Sequence, residues 1–308
     1  MTFGERRCCI FAVMRNVLAF AGVALLWNNP CTAQWRFEGD TTATWEQAIA
    51  RYQELDHIHG GAKLFEIGND DDGSPIHLFI ISDGSGFTPD SIRAAGKTIL
   101  WITNAIHAGE PDGVDASMLL AQALLESDQL MGLTVNVAVC IVPVYNISGA
   151  KQRSGTSRAN QNGPKEYGFR ANARNLDLNR DFIKTDSRNA RSLISAMTMW
   201  DPDIYFETHV SNGADHQYVM ELMVSHPELM DTSLVAYTEK LLVPRQYDWM
   251  RSRNIKMGPY FETLHNTPEQ GLTGFVDGPR YSTGYATLRQ RIGILSESHM
   301  LKPYADRV

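Results

Sequence analysis

The chain has 308 residues, 43% of them hydrophobic and 20% charged, with a formal net charge of −7 at pH 7. That is ordinary globular composition with ample apolar material for a core, which excludes a disordered chain or a fibrous repeat. The acidic balance argues against nucleic acid as a partner, because such surfaces are basic.

Arg6 and Arg7 precede an apolar run from Val17 to Trp27, and the small-residue stretch Cys31-Thr32-Ala33 follows it. This order describes a secretory leader over residues 1–33, cut after Ala33, and hence a secreted or periplasmic protein. The run is shorter than the roughly 20 residues that cross a bilayer, so no stable span is expected once the leader is removed. An uncleaved anchor is the main alternative. The leader holds three arginines and one glutamate, a net +2, so residues 34–308 carry −9 instead of −7. Cys8, Cys9 and Cys31 leave with it, and Cys140, inside an apolar run, is expected as a small buried hydrophobe. Export without disulfides leaves the fold to its core, or to a core assisted by a metal.

Residues 41–59 open with threonines suited to capping and carry Trp45, Ile49, Tyr52 and Leu55 at helical spacing. Two short strands, 63–67 and 76–81, flank the turn-rich NDDDGSP, a hairpin signal. Its three aspartates suit a solvated loop better than a calcium site. The apolar stretch 98–103 is a strand that runs into a turn holding His107 and Glu110, and a helix over 114–126 follows. The run 135–145 is apolar throughout, as in a strand covered on both faces. Residues 148–180 are polar and too long for a simple connector, which points to a site. A helix over 187–200, a strand 204–207 leading to Thr208-His209, and a helix over 227–242 come next. After an irregular stretch, 254–285, the strand 292–297 ends at Glu297. Strands alternating with helices predict a single α/β domain, a mixed and mostly parallel sheet flanked by helices.

Three strand ends thus carry His107 with Glu110, His209, and Glu297. Ligands of open α/β sheets bind at the carboxyl ends of the strands. Two imidazoles and a carboxylate are a three-ligand set for zinc that keeps a position open, with no cysteine for a closed structural site. Metal-activated water needs a base, and Glu297 is the carboxylate left for it. His57, His59, His216, His226, His265 and His299 stay open as other ligands on this ground alone.

The loop segment Asn175-Leu-Asp-Leu-Asn179-Arg180-Asp-Phe182, with His107-Ala-Gly-Glu110, His209 and Glu297 in this order, resembles the zinc carboxypeptidases of the carboxypeptidase A type. Val-Pro-Val-Tyr-Asn at 142–146 resembles the family's strand end before its substrate loop. The likeness runs over about residues 41–304 and implies the family's fold. It implies one Zn²⁺ per chain held by His107, Glu110 and His209, with Glu297 as the catalytic base. It further implies that Arg180, beside Asn179, holds the free terminal carboxylate of a peptide substrate, as a planar cationic fork does well. Arg170 is expected to stabilise the oxyanion, with Arg174 and Arg158 as rivals.

The sequence departs from the family in three places. Gly109 stands where the commonest form of the turn has arginine. Phe275 falls where a mobile-loop tyrosine is usual, leaving Tyr285, or else Tyr281, to contact substrate. The family's domain continues past its catalytic glutamate into a closing helix, of which 301–308 is the first turn, implying truncation. The expected activity is metallocarboxypeptidase. The alternatives are a related zinc amidohydrolase acting on a cell-wall peptide or N-acyl amino acid, and a carboxylate-binding module without catalysis.

Overall fold

The structure, a computed structural model, describes residues 36–308. The leader expected over 1–33 lies outside the described residues, as do Cys8, Cys9 and Cys31. The strands are β1 (Ala62–Asn69), β2 (Pro75–Ile81), β3 (Thr98–Thr103), β4 (Val137–Val142), β5 (Ile204–Val210), β6 (Met220–Val224), β7 (Met257–Pro259), β8 (Glu262–Thr263), β9 (Leu272–Thr273) and β10 (Ile292–Ser298). Among the described residues they form one eight-stranded sheet, ordered β1-β2-β4-β3-β5-β10-β6-β7, and a separate β8–β9 pair. The four neighbours β4, β3, β5 and β10 run parallel, so their carboxyl ends share one edge. β1 and β2 join antiparallel to their neighbours and β6 joins antiparallel to β10, with β7 parallel to β6, which makes the sheet mixed.

The central strands are apolar because helices cover both faces. In β3 and β4 the side chains of Ile99, Trp101, Ala138, Cys140 and Ile141 are wholly buried. Cys140 is a free buried thiol, as its setting required. The helix Trp45–Ile58 starts at Thr44, whose side chain and that of Gln47 satisfy each other's backbone in a capping box. The helix Asp112–Glu126 buries Val114, Met118, Ala121 and Leu124 at helical spacing. The helix Arg188–Trp200 is capped by Ser187, which accepts from Ala190 N, and ends at Asp201 in the left-handed conformation. Among the described residues no helix is long and apolar enough to cross a membrane.

Two expectations change. Two of the three hairpin aspartates are not solvated; Asp72 alone is exposed, paired with Lys151. Asp70 is wholly buried and accepts from Ser148 N at 3.0 Å and Asn189 Nδ2 at 2.9 Å, while Asp71 accepts from Asn172 Nδ2 at 2.8 Å. They pin the long polar loop to the sheet. The helix expected over 227–242 begins instead at Thr232, where Asp231 caps it, and runs through a π turn, Thr238–Leu242, into Val243–Ser252. Pro244 stands in the first turn of that last stretch, just after the π turn, where its missing N–H is tolerated. The sheet also gains β6 and β7, which lack strong alternation.

Asp115 is buried, accepts from Ala43 N at 3.1 Å and takes the Tyr304 hydroxyl at 2.5 Å. Burial pushes its carboxyl up to about 6, against roughly 3.9 in an unfolded chain. The native state therefore keeps a proton that the unfolded state releases. This group's stabilisation is complete below about pH 4 and is lost as pH rises through 6, an effect of about 3 kcal/mol. An Asp115→Asn variant should lose that dependence. Its melting temperature, followed from about pH 4 to pH 7, is expected to fall less than the parent's.

Candidate active site and metal centre

Strand β3 ends in a turn that its neighbours hold rigidly. Asn104 donates to Ser117 Oγ at 2.9 Å and accepts from Thr208 Oγ1 at 3.0 Å, tying β3 to the following helix and to β5. Gly113 makes this possible, since a Cβ there would lie 2.0 Å from Thr208 Oγ1. The turn closes with Glu110 N donating to His107 O at 2.9 Å. His107 and Glu110 are both buried, 3% and 2% exposed.

Strand β5 lies beside β3, and on it His209 points its Nδ1 at Glu110 Oε2, 3.0 Å away. His107 Nδ1 is 3.2 Å from the other oxygen, Oε1. One donor atom from each of the three residues lies within 4.8 Å of the others, and all three residues are buried. Their other ring nitrogens face carboxylates: His107 Nε2 meets Asp177 Oδ1 at 3.0 Å, and His209 Nε2 meets Glu207 Oε2 at 3.3 Å. The two Nδ1 atoms and Glu110 thus converge as a borderline-soft divalent ion requires, and the donor set fits zinc. This is the only such group of three among the described residues. None of the other histidines joins it; His216 and His299 pack on each other, with ring centroids 4.2 Å apart.

β10 is the next strand, and Glu297 is paired in register with His209 on β5 and with Glu221 on β6. Its Oε2 has no hydrogen-bond partner among the described residues. Burial, then Glu110 and Glu221, push its carboxyl above the usual range, against the pull of His209 and Arg158.

The segment 175–182 supplies the positive side of the cleft. Burial raises the Asp177 carboxyl, but the His107 hydrogen bond and the charges of His107, Arg170 and Arg180 hold it well below its ordinary value. Arg170 donates from Nε and Nη2 to Asp177 and turns Nη1 towards His107 Nδ1 at 3.3 Å. Arg180 donates to Asn179 O at 2.8 Å and lies over the Tyr281 ring at 4.3 Å. Asn179 is buried and accepts from Ser282 N at 3.0 Å. His107, Glu110, His209, Glu297, Arg170, Arg180 and Asn179 all face one cleft.

Tyr285 does not face it. It is 9% exposed and packs on Phe182 with ring centroids 5.6 Å apart, because the helix Ser282–Leu288 turns it into the core. Tyr281, the N-cap of that helix, lines the cleft instead, together with Tyr260 and Phe275. Neither the helix nor Tyr260 carried a signal in the sequence.

Gly109 has a structural counterpart. A Cβ there would stand 3.1 Å from Arg158 Cδ and 3.1 Å from Gly168 O. The side chain of Arg158, from the long loop, occupies that space and pairs with Glu110 Oε1, while its Nη2 donates to Val210 O at 2.9 Å and Ser211 O at 3.0 Å. The cation that the turn lacks thus arrives from the loop. Two acids were also missed: Glu207, wholly buried, and Asp277, which lines the cleft with Oδ1 unpartnered among the described residues. Burial, then Glu207, pushes the Asp277 carboxyl up to about 7, against His209 and Arg180.

A parallel sheet edge thus gathers two imidazoles, a buried glutamate, a carboxylate with a free oxygen and two arginines, a donor set that fits a divalent metal on an α/β scaffold. The family model for zinc carboxypeptidases matches residues 52–293, and the chain belongs to that family. Comparison with curated proteins returned no match. Among solved structures, the chain is similar to a metallo-carboxypeptidase from Burkholderia cenocepacia at 16% identity and a TM-score of 0.61, covering 84% of this chain and 61% of that one. A metallo-carboxypeptidase from Pseudomonas aeruginosa, in complex with (2-guanidinoethylmercapto)succinic acid, matches at 16% identity and a TM-score of 0.60, covering 84% and 60%. The carboxypeptidase A from Helicoverpa armigera matches at 16% and 0.61, covering 88% and 68%. At such identities these likenesses establish the fold. The chain spans 61% and 60% of the two bacterial structures.

Proposed function

We propose that the chain is a zinc-dependent metallocarboxypeptidase, exported after removal of residues 1–33, that hydrolyses the last peptide bond of substrates with a free terminal carboxylate. The observation that carries this reading is Arg180, beside Asn179, in the same cleft as the His107–Glu110–His209 group and Glu297. One zinc ion per chain, held by those three residues, would supply positive charge to polarise the scissile carbonyl and acidify water. The chain's own groups do the rest. Arg180 binds the terminal carboxylate and sets the distance from it to the bond that breaks. Glu297 takes the proton from the attacking water and passes it to the leaving amine. Arg170, with Nη1 turned inward, offers its charge to the oxyanion; Arg158 is committed to Glu110 and two carbonyls.

The amidohydrolase and the pure binder share much of this site, and a substrate series separates them. A peptide with a free C-terminus should be cleaved on the order of a hundredfold faster than its C-terminal amide, and Arg180→Ala should erase most of that gap. Equal rates on the two peptides would exclude a carboxypeptidase, and binding without product would favour the module.

The cleft also holds two acids, Asp277 and Glu262. With Arg180 given to the carboxylate, they favour a cationic terminal side chain. The guanidino and succinic acid groups of the ligand bound to the Pseudomonas protein combine the same charges. Peptides ending in Lys or Arg should therefore be cleaved roughly tenfold or more faster than those ending in Asp or Glu, and Asp277→Asn should narrow the ratio. An unchanged ratio in that variant would place the preference elsewhere.

A further inference from the structure

We propose that Glu207 is a positioning residue of the metal centre, fixing the ring of His209 as Asp177 fixes that of His107. The inference rests on the reading of His107, Glu110 and His209 as zinc ligands. Glu207 stands two residues before His209 on β5, so strand alternation puts both side chains on one face of the sheet. It is wholly buried; its Oε2 approaches His209 Nε2 at 3.3 Å, and the buried Tyr205 hydroxyl is its other close polar neighbour.

A buried carboxylate is costly without a partner, and of its two close polar neighbours, the Tyr205 hydroxyl and the His209 ring, only the imidazole can carry positive charge or pass its effect to a metal. His209 Nδ1 faces Glu110 and the centre of the cluster, which leaves Nε2 to carry the ring proton. Two groups lie close to Nε2. Asn179 presents its side-chain nitrogen at 3.5 Å, a donor that cannot accept from an N–H. Glu207 is the acceptor. Its negative charge selects the Nε2–H tautomer, holds the ring plane, and raises the basicity of Nδ1 towards a cation. Both histidines of the centre are then carboxylate-backed, one from the 175–182 loop and one from within the strand. Glu207 does not line the substrate cleft, so it acts through His209 and touches no substrate.

The test is zinc affinity, measured on the full chain by competition with a chelator. Glu207→Gln keeps the shape of the side chain and removes its charge. It is expected to weaken zinc binding 10- to 100-fold, with the circular dichroism and melting of the metal-free protein retained; Asp177→Asn, acting on the other histidine, sets the scale. A Gln variant that folds and binds zinc within about twofold of the parent would overturn the proposal, since space-filling alone would then account for Glu207. If the parent itself binds no zinc, the metal reading fails first, and the two failures are distinct. Should the Gln variant not fold, the zinc-loaded parent decides by nitrogen-15 NMR. A protonated, downfield and slowly exchanging Nε2 on His209 supports the proposal, and a freely exchanging or unprotonated Nε2 overturns it.

Discussion

Replacing Glu297 by Gln is expected to lower kcat by about three orders of magnitude while zinc content and KM stay close to the parent's. Glu297 is paired in register with His209, so its side chain faces the metal group from the neighbouring strand. It is not one of the three residues whose donor atoms converge. The amide of Gln has the same reach but cannot take and return a proton, so the loss should fall on the chemical step. Zinc is measured by elemental analysis and turnover on a peptide with a free C-terminus. Full activity in the variant would remove Glu297 from the mechanism. Loss of zinc would make it a ligand instead.

Exhaustive chelation should abolish activity altogether, and one equivalent of zinc should restore it. His107, Glu110 and His209 are buried and already oriented, so little reorganisation opposes rebinding. Because zinc binds the folded chain and the unfolded chain offers no such site, it should also raise the melting temperature. At a free concentration 100 times the dissociation constant the gain is about 2.7 kcal/mol. A His209→Ala variant should show neither the rescue nor the thermal shift. Activity that survives in a protein proven metal-free would exclude the metal reading.

The elements most legible in the sequence were those with one strong local pattern. β3 matched its expected limits because an apolar run bounded by polar residues has one reading as a strand. The helix Trp45–Ile58 was marked by capping threonines as well as by spacing. β6, β7 and the helix Ser282–Leu288 were not legible, because each is short and is held by neighbours remote in the chain. The same reason applies to Tyr285: its direction depends on a helix that no periodicity announces.

What the sequence by itself determined was the chemistry on offer: imidazoles and carboxylates at strand ends, and an arginine-bearing segment at 175–182. These are local patterns, and a local pattern survives without knowledge of the fold. The tertiary structure alone decided which groups meet. The order β3-β5-β10 puts residues nearly two hundred positions apart side by side at one sheet edge. It also brings Arg158 over Gly109, so the charge missing from the turn is restored from a distant loop. And it brings Asp277 and Arg180, nearly a hundred residues apart in the chain, to the same cleft, where the arginine's charge acts on the acid. Side-chain chemistry is written residue by residue, whereas proximity comes from the whole packed chain.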